Sequence, residues 1–192
     1  MFQLRQKSYQ IGNRLRKSKR FEHNCSLRDI PSELVANYGT PEEVKSRAIQ
    51  YEDGQDITQI AKSLRWVTSS ESLYTGSVGP DSAILMEIKI VDLAIHWVTC
   101  DNLDAASEAA WFLANMASDD EHTHALVSAG AIPALLTPLK NKSLHPVLEH
   151  ALWALANIAS DHPEYAGLIE KESVFDDLIT LADENLPNSA KE

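Results

Sequence analysis

The sequence predicts an all-α chain, a right-handed α-solenoid of about three to four repeats behind a basic N-terminal arm. Two observations carry this. A twelve-residue segment, Glu108-Ala109-Ala110-Trp111-Phe112-Leu113-Ala114-Asn115-Met116-Ala117-Ser118-Asp119, returns as Glu149-His150-Ala151-Leu152-Trp153-Ala154-Leu155-Ala156-Asn157-Ile158-Ala159-Ser160. Trp111 to Trp153 and Asn115 to Asn157 are both 42 residues apart, and Glu108 to Glu149 is 41. Each copy is followed by a polar break and a second apolar block, such as Ala131-Ile132-Pro133-Ala134-Leu135-Leu136. A period near 42 with a short, a medium and a long helix per unit is the mark of a helical repeat array.

Taken in order, residues 1–30 form the arm. Residues 1–20 hold seven basic side chains and no acid, which leaves 10 basic against 28 acidic groups in the rest, a head of +7 on a body of −18. A divergent first repeat is expected over 31–75, with a long helix from Ile57 to Val67 on which Ile57, Ile60, Ala61, Leu64 and Val67 keep helical spacing. The Gly79-Pro80 loop opens a second repeat, 76–118, with a buried medium helix over Ile84 to Val98. The third, 119–160, has Gly130 at a sharp turn and Pro133 in a first helical turn. Pro163 opens an incomplete fourth, 161–183, and a polar tail occupies 184–192.

Composition excludes several classes. Hydrophobic residues are 44% and charged residues 23%, a globular balance. Two cysteines are too few for a disulfide framework, which suits a reducing compartment. No apolar run approaches the roughly 20 residues of a membrane span. An acidic body disfavours nucleic acid and favours cationic ligands. His122, His124, His145, His150 and His162 fall in different repeats with no CxxC or HExxH companion, and no Gly-rich phosphate loop or catalytic triad pattern is seen. The expectation is a chain that is not an enzyme and needs no cofactor or metal.

The binding candidates lie on the repeated helices. At about 100° per residue, Leu148, Leu152, Leu155 and Ala159 form one stripe, while Glu149, Trp153 and Asn157 form another roughly 130° away. Trp111 and Asn115 repeat this pairing. The expected role is a groove for an extended peptide. Asn offers a donor and an acceptor to the peptide backbone. Trp rings form slots for Lys or Arg stems, worth about 0.5–2 kcal/mol as a cation–π contact. Asp119 and Asp161 follow the helix ends, where a cation is favoured.

Trp153-Ala154-Leu155-Ala156-Asn157-Ile158-Ala159 resembles the W-A-L-x-N-I-A third helix of the importin alpha family, armadillo-repeat adaptors of nuclear import. The resemblance implies that Glu149, Trp153, Asn157 and Asp161 hold a lysine-rich nuclear localisation signal, with Trp111, Asn115, Ser118 and Thr123 forming the preceding part of the site. Asp119 stands where the family usually has Gly. In the arm, Leu15-Arg16-Lys17-Ser18-Lys19-Arg20-Phe21-Glu22 resembles the core of the family's importin-beta-binding segment, and Arg5 and Lys7 a thinned upstream cluster. The family's later autoinhibitory cluster is Ser26-Leu27-Arg28 here. The partners implied are proteins with basic localisation signals and importin beta, and the locations cytoplasm and nucleus.

Two functions follow. One is the peptide-binding adaptor. The other is a structural armadillo module that scaffolds a larger complex through an apolar edge at Val174, Phe175, Leu178 and Ile179.

Overall fold

The computed structural model describes residues 38–52, 55–75, 85–172 and 174–185. The arm residues Arg5, Lys7, Arg16, Lys17, Lys19 and Arg20, together with the Gly79-Pro80 loop, lie outside the described residues. The described chain is helical: α1 (Pro41–Ile49), α2 (Ile57–Thr75), α3 (Ile88–Trp97), α4 (Leu103–Met116), α5 (Asp120–Ser128), α6 (Ala131–Lys140), a 3₁₀ segment (Lys142–Val147), α7 (Leu148–Asp161), α8 (Pro163–Glu170) and α9 (Val174–Asn185). The described residues form an all-α solenoid of stacked helices.

Polar caps at the helix starts punctuate this order. Thr40 and Glu43 form a reciprocal capping box at α1, with Pro41 inside the first turn. The Asp56 carboxylate accepts from the backbone N–H groups of Thr58 and Gln59, ahead of α2. Asn102 caps α4 through Ala105 N–H at 3.1 Å, and its own amide donates to Thr58 Oγ1 at 2.9 Å, tying the starts of α2 and α4 together. Gly130, at φ 88, turns the chain from α5 into α6, a left-handed position where glycine avoids the Cβ clash. Pro163 is the first residue of α8, and His162 Nδ1 accepts from Glu164 N–H at 3.2 Å.

Three expectations change in extent. The first long helix continues past Val67 to Thr75. The hydroxyls that look helix-breaking are satisfied inside it: Thr68 Oγ1 donates to Arg65 O at 2.8 Å and Ser69 Oγ to Arg65 O at 2.9 Å. The medium helix begins at Ile88 rather than Ile84, because Glu87 is extended at ψ 131. The last helix also runs to Asn185, past the expected start of the polar tail at 184.

The long helices α2, α4 and α7 pack side by side, with α4 in the middle. Behind them, α3 packs on α4, and α6 packs on α7 and α9. The core between these layers holds Leu64, Ile90, Trp97, Phe112, Leu113, Leu135 and Ile158, all at or near zero exposure. The proposed apolar edge on α9 needs correction. Val174 is buried and Leu178 is packed against the core, because α9 docks on α6 and α8 and turns that i, i+4 pair inward. Ile179, at 61% exposed, and Leu168 on α8, at 39%, are what remains on the surface. The side chain of Phe175 lies outside the description.

Candidate functional site: a tryptophan and asparagine face on the long helices

Because α4 and α7 are neighbours and share a register of 42 residues, their motifs meet across one face. Trp111 and Trp153 are each partly exposed there. The asparagines behave differently from the expectation that they are open to a ligand's backbone. Asn115 and Asn157 are each only 2% exposed. The Asn115 amide donates to Thr68 Oγ1 and Ser69 Oγ on α2, both at 3.0 Å. The Asn157 amide donates to Ala114 O on α4 at 2.9 Å. Each carboxamide therefore spends its donor stitching its helix to the preceding long helix. The reason is geometric: the stripe 130° from the apolar one faces the neighbouring long helix as much as solvent.

The acceptor side is not used in the same way. Asn157 Oδ1 and Trp153 Nε1 are both shut off from solvent and have no hydrogen-bond partner among the described residues. An unmet buried donor or acceptor costs about 1–3 kcal/mol. Here one of each lies on the same helical stripe.

Around Trp111 the sites are filled. The Arg65 guanidinium lies 4.2 Å from the centre of the Trp111 ring system. Its Nε donates to Glu108 Oε2 at 2.7 Å, and the two side chains are only 12% and 16% exposed. The His150 imidazole stacks on Trp111 with ring centres 4.9 Å apart and planes 12° from parallel. Its Nδ1 lies 3.2 Å from Ser107 Oγ.

The remaining candidates separate into turn and rim. Ser118 Oγ donates to Asn115 O at 2.6 Å, and the Asp119 carboxylate caps α5 through Glu121 N–H at 2.8 Å. Thr123 is fully buried and donates to Asp119 O at 2.9 Å, so it supports this turn from beneath and does not line the face. Glu149 is exposed at the start of α7, and Asp161 closes its end. Burial, then the charges of Asp161 and Glu164, raise the Tyr165 hydroxyl above its ordinary pKa, and that hydroxyl lies 2.9 Å from His124 Nδ1. Among the described residues, no group of three His, Cys, Asp or Glu side chains is arranged to hold a metal, and no helix is long and apolar enough to cross a membrane.

Arg65, Thr68, Ser69 and the stacking role of His150 escape a search at a 42-residue period. The signal was present at another spacing. Arg65 and Ser69 stand four apart, as Trp111 and Asn115 do, and lie 46 residues before them. The capping residues Asp56 and Asn102 are also 46 apart, so α2 carries Arg and Ser at the Trp and Asn positions.

Residues 119–160 match the armadillo/beta-catenin-like repeat. The chain is 43% identical over 58 residues to importin subunit alpha-6 of Arabidopsis thaliana, covering 30% of this chain and 11% of that one. It is 41% identical over 63 residues to importin subunit alpha-1b of Oryza sativa subsp. japonica, covering 32% and 12%. It is 29% identical over 98 residues to the probable importin subunit alpha-A of Dictyostelium discoideum, covering 50% and 18%. The matched stretch thus spans less than a fifth of each of these relatives. Residues 119–160 thus match an armadillo-type repeat, in a chain similar to importin alpha subunits over part of its length.

Proposed function

We propose that this importin-alpha-like chain is an adaptor in nuclear protein import that holds lysine-rich localisation signals along the face of α2, α4 and α7. One observation carries the reading. The Trp111 indole already binds a cation, the Arg65 guanidinium at 4.2 Å, with Glu108 as counter-ion at 2.7 Å. The chain thus contains a worked instance of the contact a basic peptide would make. Trp153, the equivalent indole on α7, has Glu149 at the near end of its helix and Asp161 at the far end. With their side chains turned outward from the buried position, Asn157 Oδ1 accepts from a peptide N–H and Trp153 Nε1 donates to a peptide carbonyl. Asn115, Ser118, Asp119 and Thr123 shape the adjoining turn. The arm, through Arg16, Lys17, Lys19 and Arg20, is proposed to engage importin beta, and the adaptor to move between cytoplasm and nucleus.

Titration of a fluorescently labelled lysine-rich peptide, read by anisotropy, tests this. Binding at about micromolar affinity or tighter is expected, weakening as salt rises. Trp153→Ala with Asn157→Ala should abolish it, and unchanged binding by that double variant would overturn the reading. The exposed pair Leu168 and Ile179 favours the second reading, a scaffold docked through α8 and α9. Loss of a stable assembly on Ile179→Asp, with no peptide binding by the parent chain, would establish that instead.

A further inference from the structure

We infer that the chain fills its own Trp111 slot, so that the groove offers a ligand one cation slot, at Trp153, and that His150 sets this limit. The inference rests on the peptide-binding reading and narrows it to a class of ligand: a short extended peptide anchored by a single lysine or arginine.

An indole has two faces, and the stem of a lysine needs one of them. Arg65 reaches Trp111 from α2, and His150 reaches it from α7, the long helices on the two flanks of α4. Both rival groups are held in place. Arg65 is paired with Glu108 at 2.7 Å where the two side chains are 12% and 16% exposed, so displacing it breaks a shielded ion pair. His150 has its Nδ1 3.2 Å from Ser107 Oγ and lies flat on the ring, 12° from parallel. An incoming lysine gains about 0.5–2 kcal/mol from an indole face. It cannot recover the cost of removing a cation that already makes the same contact and an ion pair as well.

Trp153 is in the opposite condition. Its Nε1 and the Oδ1 of Asn157, itself 2% exposed, are a buried donor and a buried acceptor with no partner among the described residues. Both sit on α7, four residues apart. Neither atom is open to solvent, so a peptide unit reaches them as the Trp153 and Asn157 side chains turn outward, its carbonyl then pairing the first and its N–H the second. Nothing equivalent draws a backbone to Asn115, whose amide donates to two hydroxyls of α2.

The test uses the full chain and a labelled peptide with four consecutive lysines, together with its four single-alanine versions. One alanine replacement is expected to weaken binding about tenfold, and the other three by less than about threefold. Trp153→Ala should abolish binding, while Trp111→Ala should change it by less than about threefold. His150→Ala, which uncovers one face of Trp111, should tighten binding several-fold and make a second lysine costly to replace. Circular dichroism checks that Trp111→Ala folds. If it does not, His150→Ala and Arg65→Gln carry the test, both expected to tighten binding. The inference is overturned, with the peptide-binding reading intact, if two lysines matter equally to the parent chain and His150→Ala changes nothing. If neither the parent nor His150→Ala binds the peptide, both fall together.

Discussion

Helices α4 and α7 carry the same Trp-x-x-x-Asn motif, yet the fold treats them differently. Nine of the 14 residues of α4 are buried, against five of 14 in α7. Ala114 is 1% exposed, while its counterpart Ala156 is exposed. Phe112 stands fully buried where α7 has Ala154. The cause is position. Among the described residues α4 has a long helix on each flank, α2 and α7, and α7 has one on a single flank. The Trp and Asn of α4 find partners on α2; Asn157 also reaches back, to Ala114 O on α4, but among the described residues its oxygen and the Trp153 indole N–H stay unpaired. A repeated motif thus stitches each helix to the one before it, and how many of its polar groups find partners depends on what that helix supplies.

The comparison can be broken at four places. The largest effect is expected from Phe112→Ala, which makes α4 read like α7. It should cost about 3–5 kcal/mol in denaturant unfolding, and a loss below about 1 kcal/mol would mean that α4 is no more tightly enclosed than α7. Glu108→Ala strands the shielded Arg65 guanidinium, and thermal melts should show a loss of about 2–3 kcal/mol. The same change at the exposed Glu149 should move stability by less than about 0.5 kcal/mol. Third, Asn115→Ala removes two inter-helix hydrogen bonds and Asn157→Ala removes one. Losses of about 2 and about 1 kcal/mol are expected, and equal losses would contradict the different roles assigned to the two residues. The smallest effect is at Lys140, whose 3.7 Å contact with Glu172 joins side chains that are 50% and 53% exposed. Lys140→Ala should cost less than about 0.5 kcal/mol, and a larger loss would show that exposure is a poor guide to ion-pair strength in this chain.

Much of the architecture was legible in the chain. The 42-residue period exposed the two motif helices because identical faces must recur when identical units stack. Gly130 and Pro163 marked helix boundaries because each is tied to a backbone requirement, a positive φ in one case and a first-turn position without a donor in the other. The first unit was harder to read. Its register is offset by four residues, and its Arg65 and Ser69 do not look like Trp and Asn, so only the matching caps at Asp56 and Asn102 reveal the equivalence.

The sequence by itself determined the helices, their stacking period and the stripe that bears Trp and Asn, because these follow from spacing along one chain. Only the tertiary structure decided which of those side chains are already spoken for. Arg65 meets Trp111 from 46 residues away, and His150 meets it from 39. Whether a polar group is satisfied depends on what a neighbouring helix places within about 3 Å of it, and no periodicity within a single helix encodes that distance.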